Sequence, residues 1–392
     1  MDTQTFISKH HNAFVFFREF VFSSTAFTPV GASEVEFADG VVLLGDALIV
    51  FQMKERTQAD AGDVDSERRW FNDKVVAKGT RQVRDTLGYL ASGSDIWVPN
   101  ERGDQFNLAA NQYAEIFKVV LYDPSQHLPE DCARRRHHIS RTAGFIHVMD
   151  ARDYFGMTRV LRVPREIIEY FQFREEMLTK YPAECAQVSE RALAGHFIEG
   201  APGSVPTMAT ANAIDRITDP ADDWNIGPLL GGFRERIYGG DAGIQYYEIL
   251  REFAKLPRSC WRAIKERVDL CLRNVREDKF AQPYRFAYKP TDCGFVFASA
   301  DSELSSDPDW KAMRTRAAKN FAIGHKYDQR LSKCISVLVS KDGEYIDIQW
   351  CLISHPWEED AEVQKWLDEK NPFRPVEEKV QYSFYTRDKP VP

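Results

Sequence analysis

The 392-residue chain has no excess of positive charge, no Cys-x-x-Cys pair, no long uninterrupted apolar run and no phosphate-binding glycine loop, and each absence removes a class of function. A formal net charge of −8 argues against a protein that coats nucleic acid by bulk electrostatics, so contact with DNA or RNA falls to local basic patches. The seven cysteines (Cys132, Cys185, Cys260, Cys271, Cys293, Cys334, Cys351) are odd in number and scattered. That pattern fits reduced thiols in a cytoplasmic protein better than a disulfide framework or a tetrahedral zinc site. The most apolar N-terminal run, from Ala13 to Phe22, carries Arg18 and Glu19 in its middle and is too short to cross a bilayer, so no membrane partner is expected. Without a Gly-x-x-x-x-Gly-Lys-Ser/Thr loop, ATP-driven translocation within this chain is not expected, and no nucleophile-elbow serine pattern occurs.

What is present is an ordinary globular composition, 43% apolar and 28% charged, over a length that suits two domains with real cores. Residues 5–24 are apolar nearly all round (Phe14, Phe16, Phe17, Phe20, Val21, Phe22), which predicts a helix buried against a sheet. Val41–Leu44 and Ala47–Met53 are β-rich runs separated by Gly45-Asp46, the signal of a hairpin whose strands are buried on both faces. A polar loop from Thr57 to Asp65 precedes a helix over about Ser66–Leu90, on which Lys74, Lys78 and Arg81 share one face. Ile116–Tyr122 and Phe145–Met149 are candidate strands, and Pro164 opens a further helix. These elements predict an α/β domain over residues 1–182. Residues 183–240, rich in Gly, Pro, Ala and Asp, are expected to be an irregular linker, and residues 241–392 an α+β domain for recognition, regulation or oligomerisation.

The hairpin carries the chemistry. Antiparallel neighbours lie only about 5 Å apart, so an acid where the first strand begins meets residues late in the second. Alternation puts Gln52 and Lys54 on one face while Met53 points away. Asp39 is the preferred acid, because Asp46 sits in the turn, where Asp is common for local hydrogen-bonding reasons. The residues also admit a plain reading, in which Asp39 caps a strand entrance and Lys54 is solvated.

This stretch resembles the PD-(D/E)xK, restriction endonuclease-like, nuclease superfamily over about residues 10–90, through Glu19 on the first helix, Glu36-Phe-Ala-Asp39 at the strand entry and Gln52-Met-Lys54 on the second strand. The Gln-x-Lys form is similar to the Mrr-type branch, and the hairpin length to NERD-like domains. The resemblance implies a restriction-endonuclease-like α/β fold and an Mg²⁺- or Mn²⁺-dependent endonuclease that hydrolyses DNA, RNA not being excluded, in restriction or anti-phage defence. It further implies that Asp39, the Gln52 side-chain oxygen and the Met53 backbone carbonyl hold the metal, that Glu36 or Glu19 completes the site, and that Lys54 orients water and stabilises developing charge. Many such nucleases act as a homodimer. The departure from the commonest pattern is Gln52, which is neutral and binds a cation less strongly than Glu.

Lys74, Lys78 and Arg81, and the dense run Arg134, Arg135 and Arg136, are candidates for phosphate contact, against the alternative of solvated surfaces. Two other readings stand beside the nuclease: a non-catalytic interaction or regulatory protein on a degenerate nuclease fold, and a hydrolase centred on His325-Lys-Tyr-Asp328 and Trp350–Trp357 in the second domain, where histidines are more often structural.

Overall fold

The computed structural model describes the chain except for residues 1, 30, 32, 57–62, 111–112, 201–202, 218–219, 232, 234–241, 280, 301–306, 344 and 377–392. Most of the polar loop expected from Thr57 to Asp65 therefore lies outside the described residues. The chain divides into two compact units between Thr218 and Asp219. Both mix helix and sheet.

In the first unit an N-terminal helix, α1, runs through Thr3–Thr5, a π-type segment Phe6–His11 and Asn12–Phe16. It stops eight residues before the expected end. Phe17 takes a positive φ of 67°, Arg18–Phe20 form a single 3-10 turn, and Val21–Phe22 become strand β1. The apolar run continues unbroken through helix, turn and buried strand, so periodicity cannot register the change.

The sheet has six strands in the order β1, β2 (Gly40–Leu44), β3 (Ala47–Glu55), β4 (Glu115–Asp123), β6 (Gly144–Asp150), β5 (His137–Ser140). β1, β2 and β3 are antiparallel neighbours, β4 and β6 run parallel to β3, and β5 closes the edge antiparallel. Gly45, at φ 64°, makes the tight turn that joins Leu44 to its partner Ala47. The parallel crossover from β3 to β4 needs a covering helix. It is α2, formed by Val64–Trp70, a π-type segment Phe71–Lys78 and Gly79–Ala91, started by the Asp63 side chain accepting from Ser66 N. Gly79 lets this helix sit close: a Cβ there would meet Val120 Cγ1 at 3.0 Å. Phe71, Val75 and Val83 of α2 pack on Val120 and Tyr122, while Leu48 and Val50 join Tyr89 and Leu90. The even-numbered side chains of β3 thus face α2. The odd-numbered ones face the other way, where Phe51 meets Tyr154 of α3 (Ala151–Val160) at a ring separation of 5.6 Å.

The stretch expected to be irregular from residue 183 contributes a helix to this unit. α5 (Glu190–Glu199) follows α4 (Pro164–Lys180), and Glu190 is buried against Arg174. Ser189 caps α5 by accepting from Ala192 N, a signal present in the sequence but hidden by the surrounding Gly, Pro and Ala.

The second unit has a four-stranded sheet, β7 (Tyr284–Tyr288), β8 (Cys293–Ser299), β9 (Lys333–Asp342) and β10 (Tyr345–Ser354), in that order. Only β8 and β9 are parallel, joined through α8 (Trp310–Asp328), with α6 (Ala242–Ala254) and α7 (Arg258–Arg276) also packed on the sheet strands. This unit thus combines helices with a sheet of mixed parallel and antiparallel pairing.

His325, fully buried on α8, is a structural histidine. Its Nε2 donates to Phe286 O at 3.0 Å, so Nδ1, 3.3 Å from Arg285 Nη1, must accept. Burial, with the Arg285 charge, pushes its pKa down to about 4, although the bond to Phe286 O works the other way. The unfolded chain takes up this proton first, near pH 6.5, so stability is complete above that pH and is lost as pH falls toward the folded value. The loss attributable to this residue is about 3 kcal/mol. Urea unfolding of the wild type and of His325→Gln between pH 7 and pH 4 checks this; the wild-type midpoint should fall more steeply, and parallel curves would refute it.

Candidate active site

The β2–β3 register places Gly40 opposite Phe51, so the residue entering β2, Asp39, arrives beside Gln52 and Met53. Its Oδ2 accepts from Met53 N at 2.5 Å and from Lys54 Nζ at 3.2 Å. Lys54 Nζ also donates to the Met53 carbonyl at 2.7 Å. Asp39 and Lys54 are 8% and 9% exposed, so their pairing lies under little solvent screening. Asp46 stays in the turn at the far end of β3.

The approach to Asp39 is held from two sides. Thr25 Oγ1 donates to Ala38 O and Ala38 N donates back to Thr25 Oγ1, while Thr86 Oγ1 of α2 donates to Phe37 O at 2.5 Å. These bonds fix the backbone just before the acid, which lowers the cost of holding the carboxylate in one place.

Gln52 is 2% exposed, and its Oε1 is buried without a hydrogen-bond partner. An orphaned buried acceptor costs about 1–3 kcal/mol and calls for an explanation. Burial, and secondarily the nearby Lys78 charge, lower the Lys54 pKa, while Asp39 and Glu36 oppose that shift. Desolvation first, then the Asp39 charge, raise the Glu36 carboxyl, and Lys54 pulls it back. Glu36, at the exposed rim, is therefore the acid electrically coupled to Asp39 and Lys54.

Glu19 is placed otherwise than expected. It sits in the 3-10 turn after α1, not on a helix, and its Oε1 accepts from Arg102 Nε at 2.8 Å. Among the basic candidates, Lys74, Lys78 and Arg81 are exposed on α2, and Lys78 reaches the field of Lys54. The Arg134–Arg136 run is not a free basic surface. Arg134 pairs with Glu130, Arg135 lies 3.2 Å from His138 Nδ1, and Arg136 turns inward to Val188 O and Glu190. Gln82, beside the basic stripe on α2 and one turn before Thr86, also has a buried Oε1 without a partner. Lys78, Gln82 and Thr86 share one helix face, since i, i+4 residues lie one above the other.

Asp39, the Gln52 Oε1 and the Met53 carbonyl are hard oxygen donors of the chemical kind Mg²⁺ or Mn²⁺ accepts, and the orphaned Gln52 oxygen fits such an ion. Among the described residues no group of three or more His, Cys, Asp or Glu is arranged to hold a metal. Any ion here therefore relies on amide and main-chain oxygens beside the acid. Comparison with protein-family models, with characterised proteins and with solved structures finds no match to the chain. No helix among the described residues is long and apolar enough to cross a membrane.

Proposed function

We propose that the first unit is a restriction-endonuclease-like nuclease domain that hydrolyses phosphodiester bonds of DNA with Mg²⁺ or Mn²⁺. The observation that carries this reading is the meeting of Asp39, Lys54 and the Met53 carbonyl, with Gln52, the residue before Met53, buried and its side-chain oxygen unpartnered. The order of helix, acid-bearing antiparallel hairpin and covering helix supports the finer fold assignment.

In this reading Asp39, Gln52 and the Met53 carbonyl hold the ion, with Glu36 at the rim. When bound, the ion supplies positive charge at the phosphoryl oxygen and a more acidic water. Lys54, fixed by Asp39, sets a second positive charge beside the scissile phosphate, and Lys74, Lys78 and Arg81 offer the exposed α2 face to the flanking backbone. The second unit would serve recognition, regulation or assembly into a homodimer, and restriction of foreign DNA is the role that the resemblance implies.

One observation favours the non-catalytic reading: Lys54 already neutralises Asp39 without any ion. Purified full-length protein incubated with plasmid, linear and single-stranded DNA, and with RNA, under Mg²⁺, Mn²⁺ or EDTA, separates the two. Metal-dependent cleavage lost in Asp39→Ala supports the nuclease. Absence of both cleavage and metal binding would leave the interaction protein.

A further inference from the structure

On the sheet face away from Gln52 and Lys54, α1 and α3 meet around an open cavity of about 460 Å³. Its walls are rings. Phe6 lies 5.7 Å from Phe155, His11 stands edge-on to Phe155 at 4.7 Å, and Phe14 adds a ring that is 78% exposed. Its rim carries Arg159 and Arg162, both exposed, and neither has an acidic partner among the described residues. Arg162 spends only its Nε, on Arg159 O at 2.9 Å.

The wall also holds a hydrogen-bond acceptor. Thr158 Oγ1 lies 2.9 Å from Tyr154 O and 2.7 Å from His11 Nε2, and the His11 tautomer with its hydrogen on Nε2 satisfies both contacts. In that tautomer Nδ1 keeps a lone pair. Burial pushes the His11 pKa down to about 4, so the ring is neutral at physiological pH.

Stacking surfaces, two unneutralised guanidinium groups and a ring acceptor together describe a ligand that is flat and aromatic, bears an amine or ring N–H, and carries a phosphate. The cavity lies within the size range of small-molecule sites. We propose that this pocket binds a nucleotide, with its base against Phe6, Phe14 and Phe155, a base N–H directed to His11, and its phosphate held by Arg159 and Arg162. Ring stacking tolerates any base, and arginine forks match phosphate oxygens. The ligand is either a free mononucleotide or one residue of a single strand. This site is independent of the nuclease reading, since it shares no residue with Asp39, Gln52 and Lys54.

The test is calorimetric titration of full-length protein with AMP, adenosine, phenyl phosphate and a deoxyadenosine ten-mer. Saturable binding of AMP, weaker binding of adenosine and of phenyl phosphate, and unchanged affinity in Asp39→Ala are expected. Tighter binding of the ten-mer than of AMP, lost in Arg159→Ala/Arg162→Ala, would assign the site to a single strand, and the reverse to a free nucleotide. Phe14→Ala removes an exposed ring without opening the core, and should weaken binding about fivefold or more. Arg159→Ala/Arg162→Ala should weaken AMP about tenfold or more while leaving adenosine unchanged. Absence of saturable binding up to about 10 mM, wild-type affinity in these variants, or phenyl phosphate binding as well as AMP would overturn the proposal.

Discussion

Under the proposed nuclease function, Asp39→Ala is expected to lower metal-dependent DNA cleavage by about a thousandfold or more, because among the described residues that carboxylate is the one that accepts from both Met53 N and Lys54 Nζ. Lys54→Ala should cost about a hundred- to a thousandfold, the scale associated with removing one preorganised charge-stabilising group. The two substitutions should differ in another respect. Without Asp39, Lys54 remains nearly buried with the Met53 carbonyl and loses its hydrogen-bonded counter-charge, so that variant should also be less stable. Without Lys54, Asp39 keeps its bond from Met53 N and gains room for a cation. Titrating Mn²⁺ into each variant reads this directly: affinity should fall with Asp39→Ala and hold or rise with Lys54→Ala. Gln52→Glu should tighten the ion further, since a second carboxylate replaces a neutral amide. Cleavage that survives both Asp39→Ala and Lys54→Ala would place the chemistry elsewhere.

The largest expected loss of stability lies at Glu190→Ala. Arg174 is fully buried and spends its guanidinium on both Glu190 oxygens, at 2.8 and 3.2 Å, on the carbonyls of Arg136 and Val148, and on His147 Nδ1. Tyr170 donates to the same carboxylate at 2.5 Å. Burial by itself would raise the Glu190 pKa, but the Arg174 charge and hydrogen bonds, aided by Arg136, override it and hold the carboxyl below its usual range. Removing the carboxylate strands a guanidinium in the core, at a cost of about 3–5 kcal/mol. For a unit of this size that corresponds to a fall in Tm of about 10 °C. Because the folded pKa is lowered, the pair's contribution is complete above the ordinary Glu range and disappears as pH falls through the folded value. The double variant Arg174→Met/Glu190→Leu should lose less than the two single losses added together, as the charge and its partner leave together. A Glu190→Ala protein with wild-type Tm would refute the account.

The hairpin was legible because its signals are local. The two-residue turn, the apolar runs and the alternation of Gln52, Met53 and Lys54 determine both pairing and facing, and the structure puts Asp39 against Lys54 through that pairing. Glu19 was misplaced because nothing in an all-apolar run marks where a helix gives way to a strand. The bend occurs at Phe17, a residue type that rarely takes positive φ. Arg136 illustrates a different limit. A run of arginines reads as surface until its buried partner is known, and Glu190 lies 54 residues further along the chain. The ring pocket was invisible for the same reason, since Phe6 and Phe14 on α1 meet Phe155 and Arg159 on α3 only after folding.

The hairpin turn at Gly45 and Asp46 touches neither site, yet it constrains the molecule's tolerance of change more than its position suggests. Adding or deleting a single residue there would shift β3 by one step against β2 and turn its even side chains to the opposite face. Gln52 and Lys54 would then point toward α1 and α3, and Phe51 and Met53 toward α2. Substitution at the exposed Asp46 is expected to be mild, and at Gly45, held at φ 64°, any side chain strains the backbone, but a change in length does more than either because it inverts the strand.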